Sequence, residues 1–164
     1  RVDDTGADQG GPSQLMAFVL DCSVTLPWFL EDERTAFTDS LLFAAKRAEY
    51  WVPSIWCLEF PNALLVAQRR RRIERLRRIE ALDQIPKLQI RIDSEAIDLK
   101  SISAVAEEHD LSTYDAAYLE LALRRGLGLV TLDRDLAQAA SSEGVLVQSP
   151  GRSGAAQRRR RYNV

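Results

Sequence analysis

The 164-residue chain has little of what many enzyme centres are built on, with two cysteines and one histidine. Cys22 and Cys57 lie far apart and form no CxxC pair, which excludes a thiolate zinc site and a disulfide framework. A single Cys22–Cys57 bridge stays open at this level, but two buried free thiols are expected. His109 stands alone, so sites that need two imidazoles are ruled out. In Glu107-Glu108-His109-Asp110, at an expected helix end, it reads as a solvated residue rather than a catalytic base. Long hydrophobic runs are missing too: stretches such as Ala63-Leu64-Leu65-Val66-Ala67 are far too short to span a bilayer. No basic segment followed by a long apolar stretch opens the chain, so a secretory signal is not expected. Six prolines and eight glycines do not make a collagenous or linker-like chain, and there is no internal repeat. The expectation is one soluble, cytoplasmic domain whose chemistry rests on carboxylates.

What is present is charge, unevenly placed. The 22 Lys+Arg and 24 Asp+Glu nearly cancel, for a net charge of -2. Residues 1–15 hold Asp3, Asp4 and Asp8 against Arg1 and show no hydrophobic period, so a disordered leader or tag remnant is expected, with Met16 a candidate natural start. Pro150-Gly151 opens a basic tail, over 150–164, that carries Arg152 and Arg158-Arg159-Arg160-Arg161. Inside the domain, expected over 16–149, seven arginines fall within ten positions, at 69–72, 75, 77 and 78. They suit phosphate binding. They suit equally a solvated helix end and turn, with Glu74 and Glu80 at ion-pair spacing.

Strand-like and helix-like segments alternate between the tails. Ala17–Leu20 reads as a fully buried strand, Tyr50–Val52 as a second, Leu88–Ile92 as a third, Leu129–Thr131 as a fourth and Val145–Val147 as a fifth. Helices are expected over 34–48, about 54–72, 74–85, 95–108, 113–125 and 134–142, with Gly126 and Gly128 marking a turn. The alternation predicts an α/β fold, a three-layer α/β/α sandwich on a mostly parallel central sheet.

Parallel sheets of this kind bind ligands outside the carboxyl ends of their strands. Asp21 and Asp133 directly follow apolar strands and should project from one edge, although Asp133 also suits a helix N-cap. Glu59 lies on a helix stripe with Ile55, Asn62 and Val66, in a segment without a clearly polar face. An ionised Glu there is costly unless paired or bound to a cation, and Asn62, one turn on, is placed to orient it. Pro61 beside it removes a helix hydrogen bond and should kink the chain. Asp115 stands three residues after Ser112, the spacing of a capping box, near a helix N-terminus that favours the ionised form. Four carboxylates on two strand ends and two helices suit a hard divalent cation such as Mg²⁺, which takes oxygen ligands and keeps several waters. Without a cation their mutual repulsion would raise some of their pKa values.

Four segments carry a family resemblance. Phe18-Val19-Leu20-Asp21-Cys22-Ser23, residues 52–64 with Glu59 and Asn62, residues 111–122 around Tyr114-Asp115-Ala116-Ala117, and Leu129-Val130-Thr131-Leu132-Asp133-Arg134-Asp135-Leu136 resemble, in order, the motifs of PIN-domain ribonucleases of the VapC toxin type. The resemblance covers about residues 17–147 and implies an RNA-cleaving domain that uses Mg²⁺ or Mn²⁺. It implies Asp21, Glu59, Asp115 and Asp133 as acidic ligands, Asp135 as an accessory acid, and Ser23, Asn62 and Thr131 as hydrogen-bonding support behind them. It also implies a homodimer and a cognate VapB-like antitoxin, with Arg69, Arg70, Arg71, Arg72 and Arg75 as candidate RNA or antitoxin contacts. Pro61 departs from the family pattern and puts the orientation of Glu59 in question. Two other readings remain: a catalytically silent PIN-like dimerising or binding module, and a haloacid-dehalogenase-like phosphatase suggested by Asp21-Cys22-Ser23-Val24-Thr25. The second lacks the general acid, because position 23 is Ser.

Overall fold

A computed structural model of the protein describes residues 17–45 and 48–150. The expected leader, and the tail beyond Pro150, lie outside the described residues. The central sheet has five parallel strands in the order β3-β2-β1-β4-β5. They are β1 (Ala17–Leu20), β2 (Glu49–Val52), β3 (Ile90–Ile92), β4 (Gly128–Val130) and β5 (Val147–Gln148). β1 is the middle strand, which explains its unbroken apolar run: a parallel strand covered on both faces has no side to leave polar. Val19 and Leu20 are fully buried, as are Leu129 and Val130 of β4 beside them.

The helices are α1 (Cys22–Thr25), α2 (Ala36–Ala44), α3 (Trp56–Arg69), α4 (Arg75–Gln84), α5 (Leu99–Glu108), α6 (Thr113–Arg125) and α7 (Arg134–Ser142). The chain reverses its direction across the sheet after β3, so the right-handed rule for parallel crossovers assigns α1–α4 to one face and α5–α7 to the other. Among the described residues no helix is long and apolar enough to cross a membrane.

Several expected boundaries move, each for a local reason. The helix expected over 34–48 starts at Ala36, where Thr35 and Thr38 exchange side-chain and backbone hydrogen bonds in a capping box. The helix expected from 95 starts at Leu99, because Asp98 accepts from the amides of Lys100 and Ser101. Short helical turns between Cys22 and Glu33 add to the expected elements, with Pro27 in the first turn of one of them. Trp28 instead ties this segment to α2 by donating from Nε1 to the Thr38 carbonyl at 2.8 Å.

The two glycines expected to form one turn act differently. Gly126 caps α6 in the left-handed region (φ 62°), where a Cβ is strained. Gly128 opens β4, and a Cβ there would meet the Phe18 ring at 2.6 Å and the Leu146 carbonyl oxygen at 2.9 Å. Close packing, not turn freedom, requires that glycine. Both cysteines are free, but only Cys22 is buried; Cys57 lies on the exposed side of α3, contrary to the expected pair of buried thiols. His109 is mostly covered rather than solvated, and pairs with Glu143 at 3.0 Å.

Candidate active site

The strand order 3-2-1-4-5 has its switch point between β1 and β4, where the chain's connections leave in opposite directions. Such a point opens a crevice at the carboxyl ends of the strands. Asp21 follows β1 there, and its amide donates to the Val130 carbonyl of β4 at 3.0 Å. Its carboxylate is buried (6% exposed) and accepts at Oδ2 from the hydroxyls of Ser23 and, at 2.7 Å, Thr131. Both hydroxyls are themselves fixed: the Leu132 amide donates to Ser23 Oγ at 3.0 Å and the Asp133 amide to Thr131 Oγ1 at 2.9 Å. The loop that carries Asp133 is thereby tied to Asp21. Asp133 also caps α7, accepting from the Leu136 amide at 2.9 Å.

Asp115 enters on the first turn of α6. Ser112 caps that helix by accepting from the Asp115 amide at 3.1 Å and donates to Asp115 Oδ2 at 2.7 Å. Burial pushes the Asp115 carboxyl up to about 6; the Ser112 hydroxyl opposes this, and the charges of Asp21, Asp133 and Asp135 add to it. Burial likewise raises Asp21, against its hydroxyl donors and with help from Asp133. Asp21, Asp115, Asp133 and Asp135 are therefore close enough to feel one another. Among the described residues, Asp21, Asp115 and Asp133 meet hydroxyls and amides rather than Lys or Arg.

Glu59 comes from the other side of the sheet, on the first turn of α3, and is 8% exposed. Its Oε2 accepts a hydrogen bond from the Tyr118 hydroxyl of α6. The phenol feels the charges of Asp21 and Glu59 as well as Cys22, and burial keeps it protonated by raising its pKa. Tyr118 thus touches Glu59 and feels the charge of Asp21. The helix runs on through Pro61 to Arg69. Asn62, expected to orient Glu59, is exposed. Tyr118 was not singled out in the sequence, although a signal existed: a buried Glu demands a donor, and Tyr118 follows Asp115 by one helical turn.

The arginine cluster covers the end of α3, the turn after it and the start of α4. Arg69, Arg70, Arg71 and Arg75 are exposed, whereas Arg72 is engaged with Asp32 and Glu33 at 2.6 and 2.8 Å. Arg77 pairs with Glu80 at 3.1 Å and Arg78 donates to Gln68 at 2.7 Å. Among the described residues, one group of acids and imidazole brings a ligand atom each within 4.8 Å of one another, and it lies apart from the switch point: Glu108, His109 and Glu143. The His109–Glu143 pair accounts for that contact.

A doubly flanked parallel sheet with hydroxyl-held acids at its switch point defines a carboxylate-based α/β domain. Comparison with known proteins makes the class specific. The PIN domain profile matches residues 18–141, and the chain belongs to that family. It is 32% identical over 128 residues to Ribonuclease VapC3 of Pyrobaculum aerophilum, covering 75% of this chain and 94% of that protein. The crystal structure of PAE2754 from Pyrobaculum aerophilum is similar in fold, with a TM-score of 0.62 and 23% identity over 81% of this chain and 84% of that one. VapBC2 from Rickettsia felis, solved bound to a DNA fragment from its promoter, gives a TM-score of 0.60 at 14% identity, covering 82% and 98%. The order of the four motifs agrees with this assignment.

Proposed function

We propose that the chain is a divalent-metal-dependent endoribonuclease, acting in the cytoplasm as the toxin of a toxin–antitoxin pair. The observation that supports this reading is electrostatic: around the β1/β4 switch point Asp115 feels the charges of Asp21, Asp133 and Asp135, and Asp21 that of Asp133, with Asp21 and Asp115 raised chiefly by burial. The likeness to a protein named as a VapC ribonuclease supports the substrate class.

The donor set fits Mg²⁺ or Mn²⁺, since every candidate ligand is a hard carboxylate oxygen. Asp21, Glu59, Asp115 and Asp133 would hold the cation, with Asp135 as an accessory acid. Ser23 and Thr131 orient Asp21, and Asn62 is an exposed polar neighbour one turn beyond Glu59. When bound, the cation lowers the pKa of a water and offsets charge on the phosphate oxygens. The carboxylates would hold the cation and accept hydrogen bonds from a water lying in line with the scissile bond. Hydrolysis would join the water's oxygen to phosphorus, release the 3′ oxygen and return a proton to it through solvent. No step requires His109. Arg69, Arg70, Arg71 and Arg75 offer phosphate contacts to RNA or a surface for the antitoxin; Arg72 would first have to leave Asp32 and Glu33. A homodimer and a VapB-like antitoxin complete the reading. The phosphatase alternative loses further ground, because Ser23 donates to Asp21 where that chemistry needs a second acid.

The test is cleavage of labelled RNAs by the purified chain with Mn²⁺, Mg²⁺ or EDTA, beside Asp21→Asn and Asp115→Asn. Metal-dependent cuts that disappear in both variants are expected. Cleavage that survives both substitutions would remove the site assignment. Failure of the wild type to bind Mn²⁺ or cut any RNA would leave the silent module.

A further inference from the structure

Two tyrosines of the core are equally hidden but end differently. Tyr50 and Tyr118 are both almost fully buried, and each hydroxyl needs a partner there. Tyr50 reaches the neutral backbone carbonyl of Leu41 at 3.4 Å, as a packing residue does. Tyr118 reaches a carboxylate, Glu59 Oε2, contributed by a helix 59 positions away in sequence on the other face of the sheet.

We propose that Tyr118 is a positioning residue of the acid site, its hydroxyl holding the Glu59 carboxylate in the orientation that a divalent cation requires. The inference rests on the nuclease reading above and adds a residue to it. Its physical basis is leverage. α6 carries Asp115 in its first turn and Tyr118 one turn on, so one rigid helix places Asp115 directly and Glu59 through the phenol. A hydrogen bond to an ionised acceptor is among the stronger and more directional ones. It matters here because Glu59 sits on a helix that runs on through Pro61. Pro61 has no N–H to give to the Cys57 carbonyl, which weakens the backbone of α3 beside the acid. The bond from α6 fixes the side chain beside that missing backbone hydrogen bond.

The experiment uses the full chain and its Tyr118→Phe variant, with Mn²⁺ binding followed by calorimetry and thermal unfolding recorded in EDTA. Outer partners of metal ligands typically contribute about 10–100-fold in affinity. Tyr118→Phe should therefore weaken Mn²⁺ binding by about tenfold or more while the EDTA melt shows a cooperative fold. In a Glu59→Gln background the same step should change Mn²⁺ affinity by less than about twofold, since the acceptor's charge is gone. Wild-type Mn²⁺ affinity in a folded Tyr118→Phe protein, or an equal loss in both backgrounds, would reduce Tyr118 to packing and overturn the inference alone. A wild type that binds no Mn²⁺ would sink the nuclease reading and this inference together. If Tyr118→Phe does not fold, wild-type protein labelled at tyrosine Cζ decides. The Tyr118 signal should move with Mg²⁺ while that of Tyr50 stays, and a still Tyr118 signal overturns the proposal.

Discussion

Asp21 and Asp93 share a sequence setting and a depth of burial, and differ in everything else. Each follows directly on a strand of the parallel sheet, β1 or β3, and they are 6% and 4% exposed. Asp21 faces hydroxyls and the charges of other acids, and its carboxyl is raised, chiefly by burial. Asp93 meets two guanidinium groups, Arg124 at 2.7 Å and Arg125 at 3.1 Å, which outweigh its burial and lower it. The Arg125 guanidinium also lies 3.9 Å over the Trp51 ring, so this corner is a closed network. A buried acid matched by cations holds a fold together. A buried acid kept short of cations stores unfavourable charge that a bound metal relieves.

The largest effect that separates the two comes from removing each charge in turn. Asp21→Asn should lower RNA cleavage by more than about a hundredfold, beyond the range typical of outer partners. Its stability in EDTA should hold or rise, because Asn still accepts from Ser23 and Thr131 and the costly charge is gone. Asp93→Asn should keep activity per folded molecule but cost about 2–3 kcal/mol, less than a fully buried broken pair because the arginine heads stay partly exposed. Urea unfolding and RNA cleavage of both variants check this. A cleavage-dead Asp93→Asn protein with wild-type stability would break the comparison.

The comparison also shows what was legible in the sequence. Fold class, strand number and the helices over 113–125 and 134–142 follow from period and caps, since a buried parallel strand and an amphipathic helix leave strong local patterns. The edge position of Asp21 and Asp133 follows as well. Yet the same rule, an acid straight after an apolar strand, points equally to Asp93, whose role is set by Arg124 and Arg125 some 30 residues on. Contacts at that separation leave no local pattern. The Tyr118–Glu59 bond, 59 residues apart, escaped for the same reason. Motif order, rather than spacing physics, separated the acids proposed for the site from Asp93.

Proton binding sharpens the contrast with a smaller effect. Asp115 has a folded-state pKa of about 6, above its ordinary 3.8. Its contribution to stability is fully present below about 3.8 and is lost as pH rises through about 6. Asp21 has the same sign. Asp93 has the opposite one: its contribution is present above the usual carboxylate range and lost as pH falls through its lowered value. In EDTA, Asp115→Asn should therefore gain about 1–2 kcal/mol over wild type between pH 4.5 and 7.5, a figure reduced for the partial exposure of the carboxyl. Saturating Mg²⁺ should erase the gain, since the cation stabilises only a protein that retains its ligands. Urea unfolding at the two pH values, with and without Mg²⁺, measures it. A variant that gains nothing in EDTA would mean that the carboxyl is neither desolvated nor crowded by the other acids as the structure has it.

The smallest effect tests whether burial, rather than geometry, makes the Asp93 network strong. Arg72 also grips two acids, Asp32 at 2.6 Å and Glu33 at 2.8 Å, with distances as short as those at Asp93. But Asp32 is 57% exposed at its side chain, so water competes for both partners and salt screens them. Arg72→Ala should cost no more than about 1 kcal/mol in urea unfolding, and less in 0.5 M salt than in 0.05 M. Asp93→Asn should lose far less of its effect to salt, because its carboxylate lies beneath the arginines rather than beside them. Should Arg72→Ala prove as destabilising as Asp93→Asn, short contacts alone would set the strength of these pairs. The difference between Asp21 and Asp93 would then lie in the presence of an arginine, not in what burial does to an acid that has none.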